Sequence, residues 1–437
     1  MTESKSGVAV PWYVGDKFKE APPGHRYLLY LPFWESDWNP KKGEKQQVLK
    51  SLGAIRDCPS ASKVMHALAE RQRAIGKAVR ALVIEAVSTS PFVTGLGWGH
   101  PNDNGFAFLN PYGLPYLAAS GVKGVLRRAT EELALFEPSA GITLLDVWWL
   151  FGFEGASGDI WKSDGPWADA FVRHKSKLLE RPDLPLFLGK LGVKTDRTVL
   201  FAIEEVQRKR HDLQYRGALR FFDVMPEVSG DGMDVDIMNP HYVEYYQGKS
   251  TPHDADNPVP IFFMVVPPES TFTFVVDCPL EHQLPEGLRD GWRDMVRASF
   301  DHAFDWLGFG AKTAVGYGVI QPDQAQQEKY EAREREADET RRKAIEREAE
   351  LATLSPIDRR IREFLDARCD KNQSEIAALI GAVKQGHWHG EERTAVAIWL
   401  RTAMQRNKKW KESSCRKNPA KDHDYQDTLL IKEWLNG

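Results

Sequence analysis

Residues 307–318 have the sequence LGFGAKTAVGYG, a glycine-rich stretch that separates a helical pattern from a short apolar run. Glycine accepts positive φ and lets the backbone approach a ligand closely. Successive N–H groups of such a loop can cradle a phosphate, and a lysine adds positive charge. The residues that can contact a ligand in this way are Gly308, Gly310, Lys312, Thr313, Gly316 and Gly318.

The order of elements around this loop argues against two familiar nucleotide sites. P-loops and dinucleotide-binding loops follow a strand and open a helix. Here the helical periodicity of residues 292–307 precedes the loop, and the apolar residues 319–320 follow it. A glycine-rich loop between a helix and a strand favours a contact that follows the backbone of a polynucleotide.

A second segment, residues 120–128 with the sequence SGVKGVLRR, predicts the start of a helix that carries cations. Serine is a preferred N-cap, and the free N–H groups of a helix start bind anions. Lys123 and Arg127 are four residues apart and share a face. An ordinary amphipathic helix explains the same pattern. The predicted phosphate-binding residues are Ser120, Gly121, Lys123, Gly124 and Arg127.

Two histidines could act as a general base. His100 lies in the loop TGLGWGHP of residues 94–101, and His241 follows Asp234 and Asp236. A lone loop histidine is more often structural, and the carboxylate spacing matches no standard metal loop. We therefore predict no catalytic residue, no metal site and no cofactor.

Composition restricts the class of protein. The chain has 437 residues, a formal net charge of −4 and 42% hydrophobic residues, which is typical of a globular protein of two or three domains. Any nucleic-acid contact must come from local basic patches. Four widely spaced cysteines and the lack of an apolar leader indicate a reduced, cytoplasmic protein. The apolar runs are too short to cross a membrane.

The pattern of elements predicts an α+β fold with a helical extension. Residues 27–33 and 198–203 have strand character, and 225–260 has the composition of a long loop. The stretch 328–350 is almost entirely charged and predicts a solvated helix. We divide the chain into an N-terminal extension packed on the core (1–80), a core domain (81–322), a charged helical linker (325–352) and a C-terminal helical domain (353–437).

Taken together, these segments resemble the RAMP superfamily of CRISPR effector proteins. The resemblance rests on the loop 308–318 combined with the helix start at 120–127, and on LFG at 150–152 followed by GALRFFD at 217–223. TGLG at 94–97, Asp236, and the histidine and tyrosines within 241–246 are similar to the sixth-subunit family of type III-B Cmr complexes. The resemblance covers about residues 80–322.

The resemblance implies a ferredoxin-like, RRM-type RAMP domain with insertions. It also implies that the glycine-rich loop and the Lys123 helix face RNA, and that the partners are crRNA, target RNA and neighbouring RAMP subunits of the Cmr complex. The expected function is that of a non-catalytic subunit that binds the guide RNA and caps the filament near the crRNA 3′ end in antiviral defence. The alternative is a metal-independent endoribonuclease that processes CRISPR precursor RNA, with His100 or His241 as base and Lys312 stabilising charge.

Overall fold

The computed structural model describes residues 8, 10–14, 18, 20–32, 34–35, 45–56, 58–101, 103–154, 159–161, 164–193, 199–239, 248–249, 251, 260–368, 373–414 and 418–436. The chain divides into two compact units, residues 1–331 and residues 332–437. Each unit is described by itself. Across the described part of the chain, every helix is either too short or too polar to span a lipid bilayer.

The bounds of the α-helices are α1 Pro23–Leu28, α2 Lys45–Gly53, α3 Pro59–Ala78, α4 Ala119–Phe136, α5 Leu144–Phe151, α6 Pro166–Leu179, α7 Leu184–Lys190, α8 Val199–Lys209, α9 Glu286–His302, α10 Gln324–Thr353, α11 Pro356–Asp366, α12 Glu375–Lys384, α13 Gly390–Arg406 and α14 His423–Asn436. The bounds of the strands are β1 Leu82–Ser88, β2 Phe108–Leu109, β3 Leu114–Pro115, β4 Gly152–Glu154, β5 Gln214–Arg216, β6 Arg220–Phe221, β7 Asp234–Met238, β8 Ile261–Val265, β9 Thr271–Asp277 and β10 Ile320–Pro322.

A four-stranded sheet organises the first unit. Its strand order is β10-β1-β9-β6, and each neighbouring pair is antiparallel. The central pair is the longest, because β1 and β9 are in register from Leu82 opposite Val276 to Val87 opposite Thr271. Helix α4 lies in the chain between β1 and β6, and helix α9 connects β9 to β10.

The two central strands are buried on both faces, which removes their side chains from solvent. On one face, Phe274 packs edge-on against Phe300 of α9, with 5.2 Å between the ring centroids. Helix α3 covers the other face, where Gly76 allows the helix backbone to approach Val83 closely. On this face Arg73 of α3 donates two hydrogen bonds to the buried carboxylate of Glu85, at 2.7 and 3.1 Å.

A layer of helices and short strands lies between α4 and β6 in the chain. Helix α5 is buried along its whole length, and a capping box of Thr143 and Asp146 fixes its start. Strand β4 follows at once and pairs antiparallel with β5. The chain between these strands forms α6, α7 and α8, so these three helices are inserted between two strands that pair with each other.

The second unit holds a hydrophobic core of its own. Helices α11 to α14 enclose this core, which includes Ile361, Leu379, Val396, Leu400 and Ile431. Helix α10, which spans the boundary of the two units, has no buried residue over its described length. The prediction of a solvated charged helix in this region is confirmed.

Several predicted elements are wrong. The predicted strand at 27–33 is absent from the described residues: Tyr27 and Leu28 end α1, which Pro23 starts at the first helical position, and residues 29–32 are neither helix nor strand. The strand-like stretch at 198–203 lies largely in α8, where Lys209 reaches back to Glu205 at 2.7 Å. The predicted loop 225–260 contains β7, whose partner is β8.

Candidate nucleic-acid interface

The start of helix α4 is fixed by an acidic side chain from another part of the chain. Ala118 is the N-cap residue, and the N–H of Ala119 donates to Oδ1 of Asp223 at 2.7 Å. Reciprocal backbone hydrogen bonds of 2.8 Å between Leu117 and Val224 hold the two segments together. Ser120 is therefore not the N-cap. It lies exposed in the first turn, and the carboxylate of Asp223 accepts the hydrogen bond of the Ala119 N–H, which has no partner within the helix.

Lys123 and Arg127 share a face of α4, as their spacing predicts, and they line an open cavity of about 260 Å³. The opposite wall is formed by residues 151–154, which include β4, and by β5 with Arg216. A side chain at Gly124 would meet no atom within 4 Å, so this part of the helix is open, and Gly121 is also exposed.

The charges around this cavity favour an anionic ligand. Burial lowers the pKa of Lys123, the positive charge of Arg127 lowers it further, and Glu154 opposes the shift. Arg127 is paired within its own helix, with 3.0 Å between its Nε and Oε1 of Glu131. A phosphate next to Lys123 would offset both the lost hydration and the repulsion from Arg127.

Arg216 is a cation that the sequence analysis did not single out. It is exposed on β5 and lines the same cavity as Lys123. Its position follows from strand pairing, because Arg216 lies opposite Gly152 in the β4–β5 ladder. In the sequence, the only indication of a role for Arg216 was its position directly before the GALRFFD segment at 217–223.

The two segments on which the mid-domain resemblance rests, 150–152 and 217–223, are adjacent in space. The N–H groups of Ala218 and Leu219 each donate, at 3.0 Å, to the carbonyls of Trp149 and Leu150. A Cβ at Gly217 would collide with the Leu150 carbonyl and the backbone beside it. The glycine is therefore required for close approach of the two chain segments rather than for ligand contact.

The glycine-rich loop folds tightly on itself. Gly308, Gly310, Gly316 and Gly318 all have positive φ. A Cβ at Gly310 would collide with the carbonyl of Val93, and one at Gly318 with the carbonyl of Phe309. At Gly316, in contrast, a Cβ would meet nothing within 4 Å. Three of the four glycines thus have close neighbours within the fold, and Gly316 is the position with open space.

Side chains of this loop point to the β7–β8 hairpin. Lys312 has a left-handed backbone, and its Nζ lies 3.0 Å from Sδ of Met238. The hydroxyl of Tyr317 donates to Asp236 at 2.7 Å; burial and this carboxylate raise the pKa of Tyr317 to about 12. Thr313 begins the short 3₁₀ turn Thr313–Val315 and is half-buried.

An exposed tryptophan flanks the loop. Trp306 belongs to the π-helical turn Ala303–Leu307 that ends at Gly308, and 77% of its surface is exposed. A large exposed aromatic ring next to a glycine-rich loop can stack on a nucleobase. A role for Trp306 was not predictable from the sequence, because its helical periodicity is that of an ordinary amphipathic helix.

The helix start and the glycine-rich loop leave the sheet at different edges. Asp223, which caps α4, follows edge strand β6, whereas Gly318 precedes the opposite edge strand β10. Each element has its own surroundings, the β4–β5 cavity for Lys123 and the β7–β8 hairpin for Lys312. That both elements face RNA stays a prediction.

His100 is held by packing. Its ring stacks on Tyr27 with 3.9 Å between centroids, and its Nε2 lies 3.0 Å from the Tyr27 carbonyl. Burial lowers the pKa of His100. His241 and the tyrosines at 242, 245 and 246 lie outside the described residues. Within the described ranges, no three His, Cys, Asp or Glu side chains gather in a way that could hold a metal ion.

Comparisons with known proteins identify the family of the chain. The model of the RAMP superfamily matches residues 85–321, just over half of the chain. A relative named CRISPR system Cmr subunit Cmr6, from Pyrococcus furiosus, is 30% identical over 248 residues. That match covers 53% of this chain, and the chain spans 65% of the length of the relative.

Two solved structures are similar over part of the chain. A cryo-EM structure of a type III-B Cmr-beta complex bound to cognate target RNA shares 17% identity, covers 64% of this chain and 70% of the other, and has a TM-score of 0.36. A crystal structure of Cmr6 from Pyrococcus furiosus shares 24% identity, covers 55% and 97%, and has a TM-score of 0.27. The superfamily match alone, which spans the sheet from β1 to β10, establishes that the chain belongs to the RAMP superfamily.

Proposed function

We propose that this protein is a non-catalytic subunit of a type III-B CRISPR complex that binds crRNA and caps the filament of backbone subunits near the crRNA 3′ end. Its partners are then crRNA, target RNA and neighbouring RAMP subunits. Superfamily membership and the 30% identity to Cmr6 support this proposal. The observation that carries it is the cavity in which Lys123, Arg127 and Arg216 lie together on an open surface.

The fold that we propose for the core is ferredoxin-like. Numbered within the four-stranded sheet alone, the strands have the order fourth, first, third, second, and helices α4 and α9 follow the first and third strands. This is the arrangement of a split βαβ unit. An RRM-type domain stacks bases on its open sheet, but here α3 covers that face. We therefore expect RNA to be held at the sheet edges and through its phosphates.

Replacement of two cavity cations tests the function. Lys123→Gln with Arg216→Gln removes two positive charges and leaves the Arg127–Glu131 pair intact. We expect the affinity for guide RNA to fall about tenfold, and its salt dependence to become shallower, as expected for lost phosphate contacts. The measurement is binding of labelled crRNA over a range of salt concentrations, together with recovery of the assembled complex.

The matched control is Lys63→Gln with Arg71→Gln, which removes two exposed charges from α3. This control keeps the net charge equal to that of the cavity variant, so a general electrostatic effect would appear in both. Equal affinities for the two variants would contradict the assignment of the cavity.

The absence of catalysis is tested separately. Packing of His100 on Tyr27 favours a structural role for this histidine. We expect no cleavage when the purified chain is incubated with CRISPR repeat RNA in the presence of a metal chelator. Site-specific cleavage that His100→Ala abolishes would support the endoribonuclease alternative instead.

A further inference from the structure

The end of helix α13 and the segment after it carry an unusual run of cations. Residues 401–411 have the sequence RTAMQRNKKWK, without an acidic residue. Arg401, Arg406, Lys408 and Lys409 are exposed. In the part of the second unit that the structure describes, these four side chains form no ion pair, although Arg401 and Lys409 each act electrostatically on a nearby carboxylate, Glu412 and Asp427.

Several cations elsewhere in the same unit are paired with carboxylates. Arginines and lysines of α10, α11, α14 and the segment before α14 lie beside carboxylates, in the pairs Arg347–Asp366, Arg359–Glu363, Arg360–Glu392, Arg362–Glu375, Lys411–Asp422 and Lys432–Glu412. The negative end of the α13 dipole favours cations in the last turn, which accounts for Arg406. Arg401 lies more than one turn earlier, and Lys409 lies beyond the helix.

Arg401 lines a groove between α13 and α14, and Arg406, Lys408 and Lys409 follow it in the chain. The groove has a volume of about 630 Å³, and one stripe of α13 lines it with Thr394, Ile398, Arg401 and Gln405. Trp410, which is half-buried, lies in the same groove with its Nε1 donating to Glu412 at 2.8 Å. Arg401 and a half-buried indole therefore lie in one groove, together with the Lys432–Glu412 ion pair, whose ammonium lies 5.8 Å from the centroid of the Trp410 ring.

We propose that the basic segment 401–411 and the groove beside it bind single-stranded RNA without sequence preference, with phosphates on Arg401, Arg406, Lys408 and Lys409 and a base against Trp410. A single strand offers regularly spaced charge and an aromatic face, which this surface matches. An acidic protein segment would use the cations but not the indole. The groove lies outside residues 85–321, so this proposal goes beyond the function of the RAMP domain and does not depend on it.

The test uses the full chain and a labelled polyuridine RNA. The variant replaces Arg401, Arg406, Lys408 and Lys409 with Gln. The control replaces the paired residues Arg347, Arg359, Arg360 and Arg362 with Gln and has the same net charge. We expect the first variant to lose about tenfold in affinity and to lower the slope of log Kd against log salt by about 3, since each phosphate contact on a single strand contributes about 0.7.

Three results separate the possibilities. Photocrosslinking of thiouridine-containing RNA to the peptide around Trp410 in the wild type, lost in the first variant, would support the proposal. Equal RNA affinity of the variant and the control would overturn it, and so would loss of complex assembly with unchanged RNA affinity, which would indicate a protein partner. The Lys123→Gln/Arg216→Gln variant is measured in parallel, so failure of either RNA site is recognised independently.

Discussion

Two glycines of the 308–318 loop both have positive φ but have different surroundings. Gly318 has a φ of +69°, and a Cβ there would collide with the Phe309 carbonyl, whereas Gly316 has a φ of +93° and open space. We expect Gly318→Ala to lower the free energy of unfolding by about 3 kcal/mol, because strain and a backbone collision add. Gly316→Ala should cost about 1 kcal/mol. Urea unfolding compares the two, and equal losses would contradict the close packing of the loop.

A buried histidine gives the fold a defined pH dependence. Nε2 of His174 accepts the N–H of Leu144 at 3.1 Å, and burial, with Lys177 nearby, lowers the pKa of His174 to about 4. Its folded pKa is thus below its unfolded value, so its stabilising effect is complete above about pH 6.5 and is lost as pH falls towards 4.

We expect this histidine to account for about 2 kcal/mol of the stability lost between about pH 7.5 and pH 5. His174→Gln keeps an acceptor for the Leu144 N–H but does not titrate. Urea unfolding at both pH values should therefore show a smaller loss for the variant than for the wild type. The same loss in both proteins would show that another group titrates.

At this scale, the sequence was sufficient for the local geometry but not for distant partners. The spacing of Lys123 and Arg127 predicted a shared face, and both side chains line one cavity. Ser120 was expected to cap α4, yet Asp223, 104 residues from Ala119, occupies that position. No local pattern reveals such a contact, since it depends on how β6 returns to the helix.

Helix α4 depends on this distant cap at the scale of the element. Ala119 is one of the first residues of the helix, and its N–H has Asp223 as acceptor. We expect Asp223→Ala to lower the free energy of unfolding by about 1 kcal/mol, as for loss of a side-chain cap. Asp223→Asn keeps an acceptor and should lose less. Denaturant unfolding of both variants checks this order, and a larger loss for Asn would contradict it.

Elements with long, uniform patterns were predictable, and short ones were not. The charged stretch predicted as a helix at 328–350 lies within α10, whose observed bounds are Gln324–Thr353. The apolar run at 27–33 was read as a strand because it is short, and only the position of Pro23 and the burial of Tyr27 reveal a helix. Strand β7 was missed because its alternating aspartates resemble a polar loop until β8 pairs with it.

At the scale of the whole molecule, the location of the sheet decides where RNA is expected. Helix α3 covers one face of β1 and β9, and α9 covers the other. We predicted that residues 1–80 pack on the core, but their sequence did not indicate that α3 would cover one face of β1 and β9. The remaining accessible cationic surface in this unit includes the Lys123 cavity.

The two compact units, residues 1–331 and 332–437, have separate cores, which predicts independent unfolding. Leu400 is fully buried in the second core, so Leu400→Ala should lower the stability of that unit by about 2–5 kcal/mol and leave the first unchanged.

Helix α10 has no buried residue and many arginines and lysines, so trypsin should cut there and release the two units. Limited proteolysis of wild type and variant checks both expectations: faster digestion of the C-terminal fragment alone is expected, and equal destabilisation of both fragments would show that the units unfold together.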